Sequence, residues 1–273
     1  MAILADPVTA AGRATLPAMA TTPTSPPADA ATVVTAAPAD ARPRTLAIDV
    51  GGTGLKAMVL GPDGAPLVER ARVATPRPAT PATVVPALVA LIAPLGDFDR
   101  VSVGFPGVVV DGVTRTAPNL DPAWAGFDLA AAIRAHTERP ARVLNDAGVQ
   151  GYGVIEGRGV EMVLTFGTGL GCALFHDGIY VPNLELAHHR FNRKGSYEDY
   201  VDDRTLRAIG KKKWNKRVRK VIGRILPIWN PRLLYLGGGN ARHIAGELPE
   251  GVRVTSNLAG LTGGIALWHD RRD

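Results

Sequence analysis

Three glycine turns in this 273-residue chain could present backbone N–H groups to an anion. The first is Asp49-Val-Gly51-Gly52-Thr53-Gly54-Leu-Lys56. Glycine is needed where backbone approaches a ligand closely or takes a positive φ, and successive N–H groups in such a turn can cradle phosphate oxygens. Thr53 adds a hydroxyl, and Asp49 could orient a water or a Mg²⁺ ion. Lys56 either neutralises phosphate charge or forms a structural pair. The second turn is Thr165-Phe-Gly167-Thr168-Gly169-Leu-Gly171, and the third is Gly237-Gly238-Gly239-Asn240, which opens an expected helix. Each alone reads equally well as a tight turn. Three of them, each at the end of an apolar run, point to phosphate handling.

Two polar clusters lie between these turns. Asn145-Asp146 closes the run ARVL. A carboxylate within reach of a substrate hydroxyl can take its proton as general base. The plain alternative is an Asx turn or a helix N-cap. Glu185-Leu-Ala-His188 spaces an acid and an imidazole three apart. That spacing suits neighbouring hydroxyls of a sugar, a helical i,i+3 pair or half a metal site. Zinc would need further ligands, and Cys172 is the only cysteine. No intramolecular disulfide is possible, which fits a reducing cytoplasm.

The elements that must position these residues alternate between strand and helix patterns, the mark of an α/β architecture. TLAIDVGG reads as a buried strand entering a glycine turn, LKAMVL as the next strand, and GPDG as a hairpin turn. VSVGFPG is a strand ending in Gly104-Phe-Pro-Gly107. DLAAAIRAHT reads as a short helix, and ARVLNDAG as a strand entering a polar loop. MVLTFGTGLGCALFHDGIYV is strand, turn and strand; LLYLGGGNARHI is strand, turn and helix start. The related devices DVGGTGLK and TFGTGLGC imply two similar halves facing one cleft.

The formal net charge of +6 is a local property. Ten Lys or Arg residues and no acid lie between Arg204 and Arg224; setting these aside leaves 21 basic against 25 acidic residues. Trp214, Val218, Val221, Ile222 and Ile225 recur at helical spacing and predict a buried stripe. Lys211, Lys212, Lys213, Lys216, Arg217, Arg219 and Lys220 then mostly face outward. Charge runs are usually solvated faces, but a solvated helix normally mixes signs. An acid-free face points to an anionic partner, and a phosphate chain could track many such cations.

Residues 1–43 are an Ala/Pro/Thr-rich tail with too little bulky apolar surface to offset ordering entropy, so disorder is expected there. The first basic residue is Arg13, and prolines interrupt the stretch beyond it, unlike a secretory signal. Few arginines argue against a transit peptide. No run of eighteen apolar residues predicts a membrane span.

Taken in order, Asp49-Val-Gly-Gly-Thr-Gly54, Gly104-Phe-Pro-Gly107, Asn145-Asp146, Gly167-Thr-Gly169 and Glu185-x-x-His188 resemble the motif series of the ROK sugar kinases. The match covers roughly residues 44–273. Within that family the chain is similar to polyphosphate glucokinases of the polyphosphate/ATP-glucomannokinase type. Ser196-Tyr-Glu-Asp-Tyr-Val201, Gly210-Lys-Lys-Lys-Trp-Asn215 and Leu234-Tyr-Leu-Gly-Gly-Gly-Asn240 carry that closer likeness.

The resemblance implies an actin-like ATPase (ribonuclease H-like) α/β fold, with domains 44–145 and 146–273 around a central cleft and the last helix returning to the first domain. It implies phosphorylation of glucose or a related hexose at the 6-hydroxyl, from inorganic polyphosphate and/or ATP with Mg²⁺, in a cytoplasmic homodimer. Asp146 would be the general base. Asn119, Asn145, Glu185 and His188 would hold the sugar, with Gly104 and Gly107 shaping its pocket. The donor would lie on Asp49, Gly51, Gly52, Thr53, Gly54 and Lys56, on Thr165, Gly167, Thr168 and Gly169, and on Gly237, Gly238, Gly239 and Asn240. A polyphosphate chain would continue onto Lys211, Lys212, Lys213, Lys216, Arg217 and Lys220. Many relatives carry a cysteine-rich zinc motif after the Glu-x-Gly-His element; this chain lacks it, so no structural zinc is expected.

Two departures bear on hexose preference. Ala187 replaces the glycine usual before the histidine, and Ala147-Gly-Val-Gln150 replaces Ala-Asp-Ala-Ala after the base. A strictly ATP-dependent ROK hexokinase is the main alternative. A ROK-type transcriptional regulator would need a helix-turn-helix ahead of the fold, which the Pro-rich segment cannot supply, and a nucleic-acid role is disfavoured accordingly.

Overall fold

The strand β1 (Thr45–Val50) is apolar on both sides because both of its faces are covered. Leu46, Ile48 and Val50 enter one core, while Ala47 enters another. The computed structural model describes residues 43–255 and 259–269. The tail expected over residues 1–43 therefore lies, but for its last residue, outside the described residues.

β1 folds back on β2 (Gly54–Leu60), which pairs with the edge strand β3 (Ala71–Ala74). Helix α1 (Pro81–Ile92) leads to β4 (Arg100–Phe105). A small hairpin of β5 (Val109–Val110) and β6 (Val113–Thr114), then α2 (Leu129–Thr137), lead to β7 (Ala141–Asn145). The sheet order is β3-β2-β1-β4-β7, with β1, β4 and β7 parallel. Leucines and valines of α1 and α2 cover one face, with Phe105 and Trp124 at its centre.

The second half repeats this plan. Helix α3 (Asp146–Tyr152) crosses to β8 (Val160–Phe166), β9 (Leu170–His176) and β10 (Ile179–Val181). A short β11 (Arg190–Asn192) and β12 (Gly195–Ser196) hairpin and α4 (Tyr197–Val201) precede the long α5 (Asp203–Trp229). β13 (Leu233–Gly237) and β14 (Val252–Val254) complete a sheet of order β10-β9-β8-β13-β14. In each sheet two antiparallel pairs at one edge are followed by two parallel pairs, the same connectivity twice.

Helix α5 lays Trp214, Val218, Val221, Ile222 and Ile225 onto Met162, Leu164, Phe166, Leu234 and Leu236. The opposite face of the second sheet, through Val163, Ala173, Phe175, Leu233 and Tyr235, packs on Ala147 of α3. The Trp214 indole donates to the Val201 carbonyl at 2.8 Å. α5 is interrupted at Gly210, whose φ is 72° and ψ 161°, so a new helical segment begins at Lys211.

The chain ends by returning to the first sheet. α6 (Ala259–Thr262) and a 3-10 segment (Gly263–Trp268) place Leu261 and Ile265 against Ala47, Met58 and Leu60. The Trp268 indole donates to Ser102 Oγ at 2.9 Å, and the guanidinium groups of Arg100 and Arg142 lie 5.2 and 4.8 Å from its ring centroid. Any side chain at Gly263 would collide with the Val149 carbonyl of α3.

Two expectations need correction. After Asn145 the chain enters helix α3, not a polar loop. Two glycines make this segment a poor helix in isolation, but Ala147, Gly148, Val149 and Gly151 are buried, and packing overrides propensity. After Gly239 the expected helix start is a single 3-10 turn, Ala241–His243. Among the described residues no helix is long and apolar enough to cross a membrane.

Candidate active site

The three glycine turns converge on one cleft of about 800 Å³. Its walls include Asp49, Gly51 to Gly54 and Lys56 from the first turn, and Thr165, Gly167, Thr168 and Gly169 from the second. Gly238, Gly239 and Asn240 line it from the third, whereas Gly237 ends β13 and packs beside Thr255 and Gln150. Gly104, Gly107, Asn119, Asn145, Asp146, Glu185 and His188 face the same space.

Each turn is braced from behind. Gly51 N–H donates to the Gly54 carbonyl at 3.1 Å. Thr75 Oγ1 and Arg77 donate to the Gly51 and Gly52 carbonyls at 2.6 and 2.7 Å. In the second turn Gly167 N–H donates to the Gly169 carbonyl at 3.0 Å. The third is tied to the second, since Asn240 N–H donates to the Phe166 carbonyl at 2.9 Å. Asn240 Nδ2 bridges Gly167 O and Asp203 Oδ1 at 3.4 and 3.3 Å, so its side chain holds the two turns together. Gly238, at φ 83° against the Phe166 backbone, admits no side chain.

Asp146 stands on the first turn of α3, at the junction of the two sheets. Asn145 is the N-cap: its Oδ1 accepts from Ala147 N–H at 2.9 Å and Gly148 N–H at 3.3 Å. Its Nδ2 donates to the Gly107 carbonyl at 3.2 Å. Asn145 thus aims Asp146 and fixes the turn at Gly107. Burial, with the nearby charges of Asp49 and Glu185, pushes the Asp146 carboxyl up to about 7. The Ala147 N–H and Lys56 act the other way without winning. A carboxyl poised near neutrality can take and return a proton at physiological pH.

Glu185 caps a 3-10 turn, Leu186–His188, and His188 Nε2 lies 3.3 Å from Glu185 Oε2. Burial raises the Glu185 pKa, and His188 opposes the rise. Among the described residues no group of three or more His, Cys, Asp or Glu side chains could hold a metal ion.

Several further residues line the cleft. Glu198 accepts from Leu170 N–H at 3.0 Å, and its carboxylate fills the space a side chain at Gly169 would need, next to Asn119 Nδ2. Arg70 and Arg72 line the cleft from the β3 side, and Arg207 and Arg242 from the opposite side. Lys211, Lys212, Lys213, Lys216, Arg217 and Lys220 do not line it. All but Arg217 are exposed; Arg217 covers the Tyr200 ring at 4.6 Å and donates to the Tyr200 carbonyl at 3.2 Å.

A cleft lined by glycine turns, a poised carboxylate and an acid–imidazole pair invites comparison with known proteins. The ROK family pattern matches residues 45–182. A polyphosphate glucokinase of Mycobacterium leprae is 32% identical over 267 residues, 90% of this chain and 79% of that protein. A polyphosphate glucokinase of Mycobacterium tuberculosis is 33% identical over 238 residues, 79% of this chain and 88% of that one. The inorganic polyphosphate/ATP-glucomannokinase of Arthrobacter sp. strain KM, a solved structure, is similar with a TM-score of 0.76 and 30% identity, covering 83% of this chain and 100% of that one. The chain belongs to the ROK family and has the actin-like ATPase fold of its sugar kinases.

Proposed function

We propose that this chain is a hexose kinase that transfers a phosphoryl group from inorganic polyphosphate or ATP to a hydroxyl of glucose or a related hexose. The observation that carries this reading is the convergence of three phosphate turns on Asp146, a carboxylate raised to about 7 at the cleft's centre. Relatives named for polyphosphate and glucose, similar over most of the chain, support it.

In the proposed reaction Asp146 accepts the proton of the attacking hydroxyl as its oxygen bonds to the terminal donor phosphorus, and the bond from that phosphorus to the donor's bridging oxygen breaks, releasing ADP or a polyphosphate one unit shorter. Asn119, Glu185, His188 and Glu198 orient the sugar. Asn145 positions the base and the Gly107 turn. The acceptor is the primary 6-hydroxyl, the least hindered oxygen of a hexose. The turns hold donor phosphates through backbone N–H groups, which stabilise charge on the transferred group.

Mg²⁺ accompanies the donor in this proposal. The Asp49 carboxylate at the first turn is a hard oxygen donor, and such a site suits Mg²⁺ that keeps several waters and binds substrate phosphates. When bound, the ion neutralises donor charge.

Polyphosphate is proposed as the preferred donor. The break at Gly210 puts Lys211, Lys212 and Lys213 on the first turn of a new helical segment. Cations at a helix N-terminus oppose the macrodipole and each other, and a polyanion would relieve both. The test is an activity matrix of glucose, mannose and other hexoses against ATP and long-chain polyphosphate, with EDTA and Mg²⁺ controls. Product with ATP alone would leave an ATP-dependent hexokinase. No product from any pair would remove the kinase reading.

A further inference from the structure

The cleft face of the first sheet carries a row of charges set by strand register. Asp49 on β1 faces Lys56 on β2, and Lys56 faces Arg72 on β3. Residues directly opposite on neighbouring strands project from the same face of a sheet, and all three line the cleft. Lys56 Nζ lies 2.6 Å from Asp49 Oδ2, so these two charges offset each other. Arg72 is the uncompensated member. Arg70, two residues earlier on the same edge, also lines the cleft. Neither arginine forms an ion pair among the described residues. On the opposite wall Arg207 pairs with Asp203 at 2.6 Å.

The position of the Arg72 guanidinium is informative. A Cβ built on Gly54 would lie 3.1 Å from Arg72 Nε and 3.4 Å from Nη2, so the group sits over the first glycine turn. A planar guanidinium there can donate two parallel hydrogen bonds to phosphate oxygens held by the turn. It is present without help from the basic face of α5, and it stands where ATP and polyphosphate must both place phosphates.

We infer that Arg72, assisted by Arg70, is a donor-phosphate clamp shared by both donors. This inference rests on the kinase reading for the identity of the ligand, but not for the existence of the anion site. Arg72 binds phosphate and does not contact the sugar.

The primary test uses the full chain and inorganic tripolyphosphate with Mg²⁺, measured by calorimetry. Arg72→Gln should weaken tripolyphosphate binding about tenfold or more, as expected for a lost charged hydrogen-bonding partner. Arg72→Lys should recover part of it, and glucose binding should not change. Kinetically, Arg72→Gln should raise KM for ATP and for polyphosphate alike. In parallel, on the wild-type protein, tripolyphosphate should slow phenylglyoxal labelling of Arg72, read by mass spectrometry, while leaving the exposed Arg134 unaffected. That arm needs no variant to fold. Tripolyphosphate binding that is unchanged in Arg72→Gln, or unprotected labelling of Arg72, overturns the clamp. Loss of binding in Arg72→Gln from a wild type that phosphorylates no hexose would uphold the clamp and sink the kinase reading.

Discussion

Lys56 Nζ and Asp49 Oδ2 meet at 2.6 Å across the β1–β2 ladder, at positions that face each other in register. Burial is the main cause of the raised Asp146 pKa, and the pair adds to it with opposite signs: Asp49 raises it and Lys56 lowers it. The two partners should therefore move the acidic limb of the pH–rate profile in opposite directions. Lys56→Gln should shift the limb of kcat/KM for the sugar to higher pH, and Asp49→Asn to lower pH. Shifts in the same direction, or none, would contradict this coupling.

Ionisation of Asp146 also links activity to stability. With Asp146 as the proposed base, only its carboxylate form is active, so kcat/KM should fall about tenfold per pH unit below pH 7. Its pKa is raised from 3.8 to about 7, so the folded protein binds more protons than the unfolded chain between those values. Stability must then fall as pH rises through that window and remain lower above it. Asp146→Asn removes the ionisation and should raise the melting temperature at pH 8 by roughly 5 °C. The difference should vanish near pH 4. An equal effect at both pH values would show that ionisation is not its cause.

Asn183 ties the Glu185 side of the cleft to the first half. Asn183 Nδ2 donates to the Val109 carbonyl and Val109 N–H donates to Asn183 Oδ1, both at 3.2 Å. Asn183 has φ 61°, a conformation asparagine and glycine tolerate. Asn183→Gly therefore removes the hydrogen bonds without adding backbone strain. Because Glu185 lies two residues on, KM for hexose should rise about fivefold while KM for the donor stays level. Steady-state kinetics with each substrate varied in turn checks this, and an unchanged hexose KM would discount the clasp.

The basic face of α5 should act on one donor only. Replacing Lys211, Lys212, Lys213 and Lys216 by Gln should raise KM for long-chain polyphosphate by about tenfold or more and leave ATP within about twofold. It should also flatten the dependence of polyphosphate use on salt, since fewer counterions are displaced. Equal losses with both donors would place these lysines outside the donor path.

Much of the arrangement is legible because backbone chemistry is written in residue type. Apolar runs ending in Gly51-Gly52, Gly167 and Gly237 mark strand ends; the turns after the paired strands β8 and β13 lie side by side, and the packing of the two sheets brings the first turn to the same cleft. The stripe from Trp214 to Ile225 is readable because its spacing is helical. The hidden features depend on register and packing. Arg72 reads as an ordinary solvated arginine on an edge strand until β2 and β3 are paired. Glu198, between two tyrosines of a short helix, reads as surface until Leu170 N–H meets it. Helix α3 escapes a reading of the sequence because the burial that stabilises it comes from both sheets.

The central claim is that Asp146 takes the proton of a hexose hydroxyl, and one comparison tests it most directly. Turnover of glucose with Mg²⁺ and either donor is followed in wild type and Asp146→Asn, with glucose affinity measured on both proteins by calorimetry. The account predicts glucose 6-phosphate from the wild type, and turnover lowered by about 10²-fold or more in Asp146→Asn, with glucose still bound. Near-normal turnover in Asp146→Asn would contradict it.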